Sequence, residues 1–200
     1  MLAWLLPPAC MACRRLLRTD ASRGLCRSCE PDVVPTEPGS VGLFSHEGPL
    51  RRALCALKYD RDLGRVGPLG DLLAPALHPG SFDVSLAVPL HRRRQRRRGF
   101  NQSDLLLRRA LRARGLPPPV AELQRVRATV PQVDLPAGAR RDNVVGAFAV
   151  RSGAAARMRG RRVLLFDDVV TTGSTIRAAA APLRAAGAQV TCLALLEALA

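Results

Sequence analysis

The sequence predicts an α/β fold, a mostly parallel sheet flanked by helices, with a small cysteine-bearing module in front of it. Three observations carry this reading. Val163, Leu164, Leu165 and Phe166 form a continuous apolar run, the pattern of a central strand covered on both faces rather than of a half-exposed strand with alternating polarity. Strand-like segments at 41–45, 82–90, 163–166 and 189–196 alternate with stretches of helical periodicity, and four of the six cysteines crowd into the first thirty residues. Two hundred residues suit one medium domain with an appendage, so the expected division is 1–35 and 36–200.

Taken in order, the front module comes first. Cys10 and Cys13, then Cys26 and Cys29, form two C-x2-C knuckles twelve residues apart, a spacing that lets four thiolates converge tetrahedrally on one metal ion. About thirty residues cannot bury enough surface to fold alone, so coordination would supply the missing stability. Ligand type and spacing favour a structural Zn2+ in a zinc-ribbon-like module; two disulfides or a rubredoxin-like iron site are the competing readings. Cys55 and Cys192 lie in apolar contexts and read as small core residues.

Three prolines and a glycine in 30–40 mark a linker. Leu50, Ala53, Leu54 and Leu57 recur at helical spacing, so an amphipathic helix should end near Lys58 and Tyr59. After the 82–90 strand, residues 91–98 hold six arginines in eight positions, read as a basic loop leading into a leucine-rich helix. Asn101 or Ser103 can cap that helix, Leu105, Leu106, Leu107 and Leu111 give it an apolar face, and Gly115 ends it. A basic loop before a helix start is where a pyrophosphate would sit, because arginine forks and helix N–H groups both favour phosphate oxygens. Arg98 and Gly99 are the residues expected there. Residues 125–146 mix prolines, a glycine and arginines with little apolar periodicity, as a mobile loop would.

The most informative stretch is 161–175. Asp167 and Asp168 are expected at the carboxyl end of the buried strand, where open α/β sheets place their ligands. Thr171, Thr172, Gly173, Ser174 and Thr175 then offer hydroxyls and backbone N–H groups at a helix start, which favours an anion. Two carboxylates can accept hydrogen bonds from the vicinal hydroxyls of a ribose whose phosphate lies on the turn. A P-loop is excluded, since the chain's single lysine, Lys58, is elsewhere, and no dinucleotide fingerprint of three spaced glycines is present. The helix begun at Thr175 should kink or stop early at Pro182.

Net charge is +15, nearly all of it from arginine. Polyanion binding follows as one cause, and a GC-rich genome that writes arginine for lysine as the other. Hydrophobic content of 48% fits a globular chain, the apolar start lacks a basic n-region, and no run approaches a membrane span, so a cytoplasmic location without membrane insertion is expected.

The 161–175 block resembles the phosphoribosyl pyrophosphate (PRPP) motif of type I phosphoribosyltransferases. Together with VPLHRRRQRRRGFNQSDLL, RVRATVPQVDLPAGARRDNVVGAF, the two knuckles and ALKY, it makes nearly the whole chain similar to the ComF family of competence-associated, phosphoribosyltransferase-like proteins. The resemblance implies a Rossmann-like type I phosphoribosyltransferase fold for 36–200. It implies binding of PRPP, or another phosphorylated ribose, with Mg2+, and phosphoribosyl transfer to an amine or ring nitrogen. Asp167 and Asp168 would serve the ribose, residues 171–175 the 5-phosphate, and Arg98 with Gly99 the pyrophosphate; the family's Arg/Gln/Arg/Asn/Phe pattern falls on Arg127, Gln132, Arg141, Asn143 and Phe148. It also implies, as an alternative, a DNA-uptake accessory with little or no catalysis, whose partners would be single-stranded DNA and a competence helicase. Arg92, Arg93, Arg94, Arg96 and Arg97 would then contact nucleic acid.

Overall fold

The computed structural model describes residues 8–17, 24–127 and 146–198. Its centre is a four-stranded sheet in the order β1 (Gly42–Ser45), β6 (Gln189–Glu197), β5 (Arg162–Val170), β2 (Val84–Ala87), and every neighbouring pair is parallel. Parallel strands need crossovers, and helices supply them: α1 (Gly48–Tyr59), α2 (Val66–Leu73), α3 (Arg92–Arg98) and α4 (Gln102–Ala113) between β1 and β5, and α6 (Ser174–Ala185) between β5 and β6. A short α5 (Ala155–Met158) precedes β5, and β3 (Leu123–Arg125) pairs antiparallel with β4 (Phe148–Val150) in a separate ribbon.

The continuous apolar run of β5 is explained by two cores, one on each face of the sheet. Leu164 and Phe166 join Leu50, Leu54 and Leu57 of α1 and Leu106 and Leu107 of α4, whereas Val163 and Leu165 join Ile176, Ala179 and Leu183 of α6. Successive strand side chains point to opposite faces, so both parities must be apolar where both faces are covered. Cys10, Met11, Leu25, Cys26 and Cys29 belong to the same core as α1.

Three local expectations change. The 91–98 stretch is not a loop: α3 forms there, with the His91 imidazole accepting the Arg93 N–H at its start and Gly99, at φ +92°, closing it. Arginine and glutamine are good helix formers, and a left-handed stop costs glycine nothing. α6 runs through Pro182 to Ala185, so the proline does not end it early, and it removes the donor that the Ala178 carbonyl would have used. In α4, Ala110 rather than Leu105 completes the buried face. Among the described residues, no helix is long and apolar enough to cross a membrane.

Candidate functional site

Asp167 and Asp168 lie within β5 rather than beyond it. β2 ends opposite Phe166, through the Ala87–Phe166 pairing, while β6 continues alongside as far as Val170. The acids therefore begin where one neighbouring strand stops. Because strand side chains alternate, the two carboxyls face different surroundings. Asp168 meets Lys58 of α1 in an ion pair and accepts a hydrogen bond of 3.2 Å from the Gln102 amide of α4. Asp167 lines a cavity of about 30 Å³ with Val169, Val170, Thr171, Gly173, Ser174, Thr175 and Ile176. The Ser103 hydroxyl bridges the two, 3.0 Å from Asp167 Oδ1 and 3.3 Å from Asp168 Oδ1, and the Asp168 N–H donates to Asp167 Oδ1 at 2.9 Å. Asn101, not Ser103, caps α4 through the Ser103 N–H, which leaves the serine hydroxyl for the acids.

Burial and contact drive the two acids apart in charge. Asp167 is pushed up to about 8, first by loss of hydration and then by the Asp168 charge beside it. Burial would raise Asp168 too, but the Lys58 ammonium and the Gln102 donor outweigh it and hold that carboxyl below its ordinary value. Two adjacent carboxyls thus share one negative charge at neutral pH.

The turn after β5 is folded for close approach. Gly173 precedes α6 at φ +71°, a conformation that glycine adopts without a Cβ penalty. The Thr172 and Ser174 hydroxyls are 2.8 Å apart, Thr171 and Thr172 are exposed, and Ser174 is buried. Arg177 folds back from α6 over Gly173 and donates to the Thr172 carbonyl. This places a guanidinium over the turn.

On the other side, α3 is exposed at Arg92, Arg93, Arg96 and Arg97, and half-buried at Arg94 and Arg98. Arg98 turns inward: it donates to the Gln102 side-chain oxygen, and its guanidinium lies 5.8 Å from the ring of Tyr59, which is 71% exposed. A hydrogen-bonded chain therefore runs from Arg98 through Gln102 to Asp168. Arg61 binds the Arg97 carbonyl at 2.6 Å, and Gly99 follows, exposed. From the ribbon, Arg125 is half-buried and lies over the Phe148 ring at 5.2 Å. Arg127 is exposed and Phe148 buried, whereas Gln132, Arg141, Asn143 and most of the expected mobile loop lie outside the described residues.

The Sγ atoms of Cys10, Cys13, Cys26 and Cys29 all lie within 4.8 Å of one another, and Cys13 and Cys26 are 3.6 Å apart. Four sulfurs around a tetrahedral Zn2+ would be separated by about 3.8 Å, given Zn–S bonds of about 2.3 Å. The cluster fits one such ion. Burial alone would raise the Cys10 thiol, but backbone N–H groups of Cys13, Cys26 and Ala12 bring it down to about 6, towards the thiolate a metal needs. Arg52 of α1 approaches Cys29 Sγ at 3.9 Å, and buried Arg65 donates to the Cys10 carbonyl at 2.9 Å while pairing with Asp62. Cys55 is half-buried in the groove beside Cys13, and Cys192 is half-buried against the α6-side core.

A phosphoribosyl transferase domain matches residues 110–200. The DNA utilization protein YhgH of Escherichia coli O157:H7 is 33% identical over 207 residues, which cover 92% of this chain and 88% of that protein. Its Salmonella typhimurium counterpart is 32% identical with the same coverage. The chain belongs to the ComF-like type I phosphoribosyltransferase family. Competence protein F of Haemophilus influenzae, 39% identical over 131 residues, 65% of this chain and 57% of its own length, is a further relative.

For this ComF-like chain, the sequence pointed to the acids, the turn, the cysteines and Arg98; the structure brings Asp167 and the turn to one cavity and links Asp168 to Arg98 through Gln102. It missed Lys58, Ser103 as a partner of the acids, Arg125 and Arg177. Lys58 carried one signal: it is the single lysine of a chain that otherwise uses arginine.

Proposed function

We propose that the chain binds PRPP, with Mg2+ on its pyrophosphate, and transfers the phosphoribosyl group to an amine or ring nitrogen. The observation that carries this reading is the shared cavity, in which Asp167 stands against the hydroxyl-lined turn of Thr171, Gly173, Ser174 and Thr175. On this reading Asp167 and Asp168 hold the ribose hydroxyls, the turn and Thr172 hold the 5-phosphate, and Arg98 meets the pyrophosphate beside Gly99, whose own N–H closes α3 on the Gln95 carbonyl. The C1–O bond breaks with its electron pair leaving on pyrophosphate; the nitrogen attacks C1 and then loses its proton. The chain acts mainly by positioning and by stabilising the growing charge on the leaving group. With Lys58 neutralising Asp168 and burial keeping Asp167 protonated, the acids offer a cation little, which suits an ion that arrives on pyrophosphate oxygens. Mg2+, when bound there, spreads the leaving group's charge. Calorimetry tests the reading: PRPP with Mg2+ should bind the wild-type chain and fail to bind the Asp167→Asn, Asp168→Asn double variant. Silence in the wild type rejects it.

We assign structural Zn2+ to Cys10, Cys13, Cys26 and Cys29, which intact mass measurement under native conditions should register as one bound ion. Four paired thiols suit a reducing, cytoplasmic setting.

A second reading, binding of single-stranded DNA with a competence helicase as a further partner, is favoured by exposed Arg92, Arg93, Arg96 and Arg97, with Arg94 alongside, and by the exposed ring of Tyr59 beside Arg98 of the same helix. Arginines would neutralise phosphates and an aromatic ring would stack a base. DNA affinity should then fall steeply with salt, and neutralising the five arginines should flatten that slope; affinity indifferent to salt speaks against it.

A further inference from the structure

One basic side chain departs from the composition. Among 31 lysines and arginines, the sole lysine is Lys58, and it is the basic side chain ion-paired to the doubled aspartate. A helix end favours a cation of either kind, and Lys58 stands in the last turn of α1. That explanation leaves the choice of lysine open, because arginine would serve the helix equally well. The surroundings close it. The Lys58 side chain is 17% exposed and that of Asp168 is 5% exposed, so the ammonium reaches the carboxylate in a partly dry space between α1 and β5. A lysine is a compact point charge on a flexible stem, whereas guanidinium is a planar fork that needs width and several acceptors. Asp168 Oδ1 already takes Gln102 and Ser103, which leaves one oxygen for one ammonium.

We propose that Lys58 is a positioning residue for the acid pair: it fixes Asp168 on the α1 side with Asp167 on the cavity side, the arrangement in which the pair meets a sugar phosphate, and arginine cannot replace it. The inference rests on the PRPP reading for its ligand and on the ion pair for its geometry. The neighbouring charged groups leave this division in place. His46, just after β1, is held down by burial and by Lys58 and Arg51, with Asp168 and Glu47 opposing. Arg98 from α3 and Arg125 from β3 add positive potential near Asp168 and Asp167 respectively, while α4 presents the neutral Gln102 and Ser103.

The single lysine makes the test direct. Protein grown with isotope-labelled lysine gives one side-chain NMR signal, Lys58. That signal should be displaced from the position of a solvated lysine, return to it in Asp168→Asn, and move when PRPP and Mg2+ are added to wild-type protein. Lys58→Arg should remain folded by circular dichroism yet bind PRPP about ten- to a hundredfold more weakly, the worth of one charged hydrogen bond, with the pH profile of binding shifted. Lys58→Arg with wild-type affinity and pH profile overturns the proposal, as does a lysine signal at the solvated position that ignores Asp168→Asn. A wild-type protein that ignores PRPP, but whose displaced signal is released by Asp168→Asn, sinks the ligand and upholds the hold of Lys58 on the pair.

Discussion

The acid pair and helix α3 are two dense clusters of charge that the fold treats in opposite ways. Asp167 and Asp168 are almost wholly enclosed, and lysine, amide, hydroxyl and backbone N–H groups converge on them. The arginines of α3 stand mostly in solvent, where water and salt weaken each one. Enclosure is what turns charge into selectivity: two side chains of one residue type acquire different protonation, while the arginines stay alike. Arg98 belongs to both regions, carrying contact from the exposed helix to the buried pair through Gln102.

The comparison can be broken most forcefully at Asp168. Replacement by alanine strands Lys58 beside Gln102 and Ser103, and should cost about 3–5 kcal/mol in denaturant unfolding, the usual penalty for removing one partner of a buried pair. Asp167 predicts a slope rather than a step. Its folded value near 8 lies above that of an unfolded aspartate, so the folded chain binds the extra proton. That stability is complete below about pH 4, is lost progressively as pH rises towards 8 and changes no further above it. Melting temperature plotted against pH should show this decline, and Asp167→Asn should flatten it. Asp168, held low, acts in the opposite sense, its contribution falling away only at acid pH.

Smaller effects sharpen the contrast. Gly173→Ala puts a Cβ at positive φ against the Arg177 guanidinium, and should cost about 1–2 kcal/mol by the left-handed penalty. Glutamine at Arg93 and Arg96 should change stability by less than about 0.5 kcal/mol, as exposed substitutions do. A large loss there would show that α3 is tied down as firmly as the acids.

Much of this was legible in the sequence for a local reason. The β5 run, the adjacent aspartates, the glycine-bearing turn and the paired knuckles are each written within a few residues, and each has a short physical translation. What escaped depends on distant chain coming together. Gln102 and Asp168 are 66 positions apart, and although Lys58 continues the Leu50 and Leu54 spacing of α1, that spacing does not say which acid it meets. The arginine run misled in another way: it reads as a basic loop leading into the next helix, yet helix propensity, the His91 cap and the Gly99 stop sufficed to fold it. Residues 128–145, where the sequence placed most of a closing loop, lie outside the described residues.

Cys10, Cys26 and Cys29 lie in one continuous core with Leu50, Leu54 and Leu57, and Arg65 clasps the Cys10 carbonyl from the main body of the chain. The front module and the sheet therefore share one core. With Zn2+ on the four cysteines as proposed, removing it should lower one common heat-absorption peak rather than melt thirty residues in isolation, and a calorimetric trace would carry the state of the cysteines into the packing under Lys58.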